Sequence, residues 1–170
     1  MRCVEATVSV EVPDSATLEE VEQLLADRLR EAGQGLLVSL CRDVESQVLS
    51  QAGPSLRPDR RRSRYLLTRF GWIKLERWQV QERATGRYAY PLDGALGLQP
   101  RQRASRWVVE AATSLAARLP YRQATRLLGL LLEVPVDHRT VHGWVRRSSV
   151  RQPARPRLHT PVVSSYKSVV

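Results

Sequence analysis

Cysteine and long apolar runs are both scarce in this 170-residue sequence. The two cysteines, Cys3 and Cys41, are too few and too far apart to form a zinc site. Cys41 shares helical spacing with Leu37, Leu40 and Val44, which predicts a buried, free thiol. No apolar run approaches the roughly 18 residues of a membrane span, and the N-terminus lacks a basic segment followed by an apolar one. We therefore expect a cytoplasmic protein with no membrane contact, no metal and no other cofactor.

Carboxylates are scarce in the later part of the chain. Residues 1–50 carry four Lys/Arg and ten Asp/Glu, a balance of −6, whereas residues 51–170 carry 23 and seven, a balance of +16, for a net charge of +10. A GC-rich genome would explain why almost all of the cations are arginine, but it would not explain why the charge is segregated. The basic part is where a polyanion is expected to bind.

The chain is predicted to begin with a strand and a helix. Alternating valines indicate a half-buried strand over residues 2–12. Thr17 followed by Glu20 forms a capping-box pair, which predicts that a helix begins there.

Two glycines, Gly33 and Gly35, are expected to interrupt that helix before a second apolar stripe that runs to Gln51. Residues 1–52 would then contain an acidic helical hairpin. The sign of its charge is wrong for phosphate, so it is interpreted as a packing or self-association element.

Residues 53–64 are rich in Gly, Pro, Ser and Arg, which predicts an exposed basic linker. Its cations could contact phosphates regardless of DNA sequence. A solvated tether is the alternative. The cations concerned are Arg60, Arg61, Arg62 and Arg64.

Residues 65–100 are predicted to form a small antiparallel sheet and a turn-rich connector. A turn at Gly71 separates the first two strands, and Tyr88 and Tyr90 alternate on a third. The apolar parity of the second strand changes before Trp78, so a bulge is expected near Glu76 or Arg77.

Aromatic rings in this sheet alternate with cations. Such a pattern could stack nucleic-acid bases. A small sheet, however, also needs Trp72 and Trp78 to form a core, and the core interpretation is favoured.

Residues 101–147 are predicted to form three helices that resemble a helix-turn-helix unit. Ser105 is expected to cap the first helix. The second carries an apolar stripe at helical spacing that must be buried. Its members are Tyr121, Ala124, Leu127, Leu128 and Leu131.

The third helix is the expected recognition helix. Pro135 separates it from the second, and Asp137 can cap it by accepting from the amide of Thr140. Val141, Trp144 and Val145 are predicted to face inward. The outward side chains are donor-rich, as is typical of a surface that enters a major groove. They are His138, Arg139, Thr140, His142, Arg146 and Arg147.

An ordinary pair of helices with a solvated basic face is the alternative for this unit. The connecting turn contains proline where compact helix-turn-helix units often have glycine. His138 and His142 lie four residues apart, but no third ligand is nearby, so groove contacts or simple exposure to solvent are favoured over a metal. Residues 148–170 lack Asp and Glu and show no period, which predicts a disordered tail.

Five segments occur in a specific order between residues 17 and 147. They are EEVEQLLADRLREAGQGLL (19–37), RYLLTRFGWIKLERW (64–78), PLDGALGLQPRQRAS (91–105), LAARLPYRQATRLL (115–128) and VDHRTVHGWV (136–145). In this order the chain resembles the N-terminal region of insertion-sequence transposases of the ISKra type (group four), and it is similar also to the ISLre type. The residue patterns predict an α+β, mainly helical chain. The resemblance implies that it recognises transposon ends as part of a multimer.

In such transposases this region precedes a ribonuclease-H-like domain, whose acidic residues bind two metal ions and cut and join DNA. No catalytic residue can be carried over to this chain, because two-metal chemistry needs several carboxylates converging on ions about 4 Å apart. Many relatives carry cysteine pairs in the β region, and this chain has none between residues 65 and 90. The aperiodic end is what a frameshift or premature stop would append, although a genuine disordered tail has the same pattern.

The charge pattern predicts DNA binding, and with the resemblance it implies a truncated, nucleoid-associated transposase fragment that binds double-stranded transposon ends without strand-transfer chemistry of its own. The alternative is an interaction or inhibitor protein, whose acidic helices pair with a second copy or with full-length transposase. An enzyme acting alone is the least favoured hypothesis.

Overall fold

Five helices and a three-stranded antiparallel sheet make up residues 7–149, the part of the chain that the computed structural model describes. The helices are α1 (Leu18–Ala52), α2 (Pro91–Ala95), α3 (Arg106–Ala116), α4 (Tyr121–Leu132) and α5 (His138–Ser149). The strands are β1 (Leu56–Thr68), β2 (Gly71–Glu82) and β3 (Tyr88–Ala89), in the spatial order β1-β2-β3. The predicted class, α+β and mainly helical, is confirmed. No helix within the described residues is long and apolar enough to cross a bilayer.

The predicted helical hairpin is wrong, because α1 is one continuous helix of 35 residues. It begins at the predicted capping box, in which Thr17 and Glu20 each bond the other's backbone. Gly33 lies against the ring of Phe70, and a Cβ placed there would be only 2.5 Å from the ring. This glycine therefore permits close packing between α1 and the sheet, where the sequence pattern suggested a helix break.

The predicted N-terminal strand is also wrong over the residues that the structure describes. Residues 7–12 belong to no strand, and residues 2–6 lie outside the described part. A strand needs a neighbour for its backbone groups. The alternation of valines along the sequence does not by itself provide a neighbouring strand.

The predicted basic linker is instead a short 3-10 turn (Gly53–Ser55) followed by most of β1. β2 is twelve residues long, and its backbone groups need partners along its whole length. β1 supplies them from Thr68 back to Leu56, so the arginine run is part of an antiparallel ladder.

The predicted turn is confirmed, because Thr68 pairs with Gly71 and Gly71 has a φ of 89°. The irregularity expected near Glu76 or Arg77 lies elsewhere. The pairing register shifts between Pro58 and Arg60 on the partner strand. Val80 becomes fully buried on the far side of that shift.

The two faces of β1 contribute to different cores. Leu66 packs with Cys41 of α1, whereas its neighbour Leu67 packs with Val108 and Leu128 of the helical unit. This division follows from the alternation of side chains along a strand. Cys41 is buried and free, as predicted.

A connector between α2 and α3 ties the helical unit to the sheet. The Leu67 amide donates to the carbonyl of Arg103 (2.9 Å), and the Ser105 amide donates to the carbonyl of Leu67 (2.8 Å). The Ser105 side chain also caps α3 by accepting from the Val108 amide, as predicted. The start of α3 is thereby held against the outer edge of β1.

The predicted inward face of α4 is only partly correct. Ala124 and Leu128 are buried, but Leu127 and Leu131 are 41% and 65% exposed, and Tyr121 is 38% exposed. Leu132 is buried instead. The buried positions follow a single four-residue step, because α4 turns only a narrow stripe toward α3 and α5.

Candidate nucleic-acid interface

The turn between α4 and α5 is longer than in compact helix-turn-helix units. Glu133 ends α4 in the left-handed conformation, with φ 50° and ψ 33°. The Val134 amide then donates to the carbonyl of Gly129 at 3.2 Å. A Cβ on Gly129 would be 3.3 Å from the Val134 carbonyl oxygen, so this glycine permits the chain to fold back closely over the end of α4.

Asp137 caps α5, although with a different partner from the one predicted. Its carboxylate accepts from the amide of Arg139 at 2.6 Å, while the amide of Thr140 donates to the Asp137 carbonyl at 3.0 Å. The first turn of α5 is therefore held firmly, and its N-terminal residues have a defined direction.

The predicted inward and outward faces of α5 agree with the observed burial. Val141 is fully buried and Trp144 is 6% exposed, both in the core shared with α3 and α4. The six predicted outward residues are all exposed. They are His138, Arg139, Thr140, His142, Arg146 and Arg147. Whether they contact DNA stays a prediction.

Two of these outward residues also make contacts within the chain. The His142 ring meets the Tyr121 ring edge to face, with centroids 5.2 Å apart. Nδ1 of His138 lies 3.5 Å from the carboxylate of Asp137. Among the described residues no group of three His, Cys, Asp or Glu side chains could hold a metal ion.

The arginine run on β1 divides into exposed and buried members. Arg60, Arg61 and Arg62 are exposed; Arg60 bonds Gln79, and Arg61 lies 4.9 Å from the centre of the Trp78 ring. Arg64 is only 8% exposed. The predicted exposed position of Arg64 is therefore wrong, because its side chain is buried, and its contact with DNA stays a prediction.

Arg64 belongs instead to a buried ionic cluster that sequence reasoning missed. Its guanidinium donates to Asp93 at 2.6 Å and to the carbonyls of Gln99 (2.7 Å) and Gln102 (2.5 Å). Arg77 also pairs with Asp93, and it lies 4.0 Å from the centre of the Tyr90 ring. Burial lowers the pKa of both arginines. The cluster anchors α2 and the connector to the sheet. Arg64 and Asp93 are 29 residues apart, so no local sequence pattern could predict their contact.

Many exposed arginines have no ion-pair partner among the described residues, because carboxylates are few and several are paired elsewhere. Glu110 binds Arg106, Glu133 binds Arg30, and Glu76 binds Lys74. Within residues 7–149 no carboxylate lies in ion-pairing distance of a large group of exposed arginines. They are Arg57, Arg61, Arg62, Arg83, Arg87, Arg101, Arg103, Arg118, Arg122, Arg126, Arg139, Arg146 and Arg147.

Comparison with known proteins connects the chain to one family. Residues 12–165 match the model of an uncharacterised protein family, UPF0236. A relative from Streptococcus gallolyticus, the "UPF0236 protein in vanSb 3'region", is 35% identical over 89 residues, which cover 52% of this chain and 20% of the relative. The match thus spans a fifth of that relative's length. No solved structure matches. Since the family model covers most of its length, the chain belongs to the UPF0236 family.

Proposed function

We propose that this chain is the DNA-binding N-terminal part of a protein of the insertion-sequence transposase type, and that it recognises duplex DNA at transposon ends. The observation that carries the proposal is the exposed, donor-rich face of α5 on a three-helix unit. Arg139, Thr140 and Arg146 are exposed there, while Val141 and Trp144 hold the opposite face in the core. A helix of this kind fits the major groove, where arginine pairs with guanine edges.

Charge and resemblance support the same proposal. The basic excess falls entirely after residue 50, and most of the exposed arginines in that part lack ion-pair partners among the described residues, Arg60 and Arg106 being exceptions. The five segments that resemble ISKra-type and ISLre-type transposases include most of α5 and the turn end of the hairpin of β1 and β2. In this proposal the chain recognises DNA through these residues, and it does not itself cut or join DNA strands. Metal-dependent nicking of plasmid DNA by the purified chain would contradict the proposed lack of strand cutting.

Arg60, Arg61 and Arg62 are proposed to contact phosphates without reading DNA sequence. We expect the variant R60A/R61A/R62A to weaken binding to duplexes of all sequences alike. Each arginine that contacts a phosphate displaces about one counterion, so the slope of log affinity against log salt should fall by about 3. Fluorescence anisotropy across a salt titration measures this slope.

The control variant R83A/R87A/R118A removes the same charge from exposed positions outside the proposed interface. An equal loss of slope in both variants would show that net charge alone is responsible. The β1 arginines would then have no special role.

Exposed leucines on α1 favour a second function, pairing with another copy of this chain. Leu18, Leu25 and Leu29 are 76%, 45% and 52% exposed. Their spacing of seven and four residues places them on one side of the helix. In an antiparallel pair centred on Leu25, Glu22 of one copy would face Arg28 of the other. The pairing surface is therefore complementary to itself, as a twofold interface requires.

We expect L25E/L29E to convert a dimer of the full chain into a monomer, since four buried carboxylates would face one another across the pair. Size-exclusion chromatography with light scattering measures the mass. L130E/L131E is the matched control, because those leucines are 68% and 65% exposed on α4. A monomeric wild-type chain would contradict this second function and leave DNA binding unaffected.

A further inference from the structure

A cleft of about 730 Å³ lies between the hairpin and the connector after α2. Its lining includes the aromatic side chains Tyr65 and Trp72 and the cations Arg101 and Arg103. The volume is within the roughly 300–1,000 Å³ typical of ligand sites. Neither the recognition helix nor the exposed arginines of β1 line it.

The two aromatic residues lie on the same face of the sheet. Trp72 pairs with Leu67, and Tyr65 pairs with Lys74, so Tyr65 and Trp72 are diagonal neighbours in the antiparallel ladder. Such neighbours are about 7–8 Å apart, which is within reach of aromatic side chains. The two rings can therefore act on one ligand.

Both rings are far more exposed than the side chains of core residues. Tyr65 is 60% exposed and Trp72 is 44% exposed, while Leu67, on the same face, is 1% exposed beneath the helical unit. The favoured interpretation of Trp72 as a core residue is thus wrong. One core formed on the opposite face, around Ile73 and Leu75, and the core that contains Leu67 does not include Trp72, which stays at the surface.

The loop that carries Arg101 and Arg103 has a firmly held backbone. Arg101 has a φ of 60°, a conformation that costs energy for a residue with a side chain. Arg64 holds the loop on both sides of it by donating to the carbonyls of Gln99 and Gln102. The exposed Arg101 and Arg103 side chains therefore start from a fixed backbone beside the two rings.

We propose that this cleft binds an unpaired base of single-stranded DNA. The base would stack on Trp72 and Tyr65, and the adjoining phosphates would pair with Arg101 and Arg103. Stacking on exposed rings next to cations is how proteins bind single strands without reading their sequence. The inference deepens the proposed DNA-binding function by naming a second class of DNA, yet it uses a separate set of residues.

The test uses the full chain and a fluorescein-labelled oligothymidine of about 12 nucleotides, a length within single-strand site sizes. We expect Y65A/W72A to bind it roughly ten- to a hundredfold more weakly while keeping its affinity for duplex DNA. Y88A is the matched control, since Tyr88 is 57% exposed on β3 and does not line the cleft. Circular dichroism verifies that each variant is folded.

A second measurement reports the stacking itself. Oligothymidine should quench tryptophan fluorescence of the wild-type chain, and W72F should lose most of that quenching while retaining binding. Equal affinities of wild type and Y65A/W72A for oligothymidine, or unchanged quenching in W72F, would overturn the inference. If duplex binding fails while oligothymidine binding depends on Trp72, the inference stands and the proposed recognition by α5 falls.

Discussion

The double variant R139A/R146A should bind duplex DNA carrying the terminal inverted repeat roughly a hundredfold more weakly than the wild-type chain, or weaker still. Both arginines are exposed on the outer face of α5, and neither has a carboxylate partner among the described residues. An arginine that reaches a base edge contributes about 1–3 kcal/mol, and the two together give a loss of this size. Fluorescence anisotropy at fixed salt measures the affinity.

The matched control is R83A/R87A, which removes two exposed arginines near the β2–β3 turn and leaves α5 intact. Its affinity should change only slightly. A repeat-specific duplex and a scrambled duplex separate base recognition from phosphate contact. Undiminished affinity in R139A/R146A would rule out α5 as the recognition helix.

Replacing Asp93 with alanine should lower the free energy of unfolding by about 3–5 kcal/mol, the cost of breaking a buried ion pair by removing one partner. Arg64 and Arg77 are 8% and 12% exposed, and both pair with Asp93. Without the carboxylate, two buried charges would face each other. Urea unfolding followed by tryptophan fluorescence measures the change.

The control is E110A, which breaks the exposed pair between Glu110 and Arg106. Exposed pairs contribute about 0–1 kcal/mol, so this variant should stay close to wild type. D93N keeps the shape of the side chain and should be destabilised less than D93A. If D93A and E110A unfold alike, the cluster does not anchor the connector as we infer.

The candidate interface was partly predictable because α5 follows a local pattern. Buried and exposed residues alternate at the helical period, so the inward Val141 and the outward Arg139 could be assigned without a structure. The same pattern could not assign Arg64. It lies four residues beyond Arg60 in one basic run, and only the position of Asp93, 29 residues further along, explains why it is buried.

Features that depend on neighbouring residues in the chain were determined by the sequence itself. They include the capping box at Thr17 and Glu20, the cap at Ser105, the turn at Gly71 and the faces of α5. Each arises from hydrogen bonds or side-chain periodicity within a few residues. The basic character of the chain after residue 50 can also be recognised from the sequence alone.

Only the tertiary structure decided which elements meet. Phe70 packs against Gly33 of the continuous helix α1, β2 pairs with the arginine run along β1, and the core around Ile73 and Leu75 forms on the face of the sheet that Trp72 does not share. Each outcome depends on contacts between residues that are distant in sequence. Such contacts are selected by packing and by the pairing of backbone groups, which local spacing does not encode.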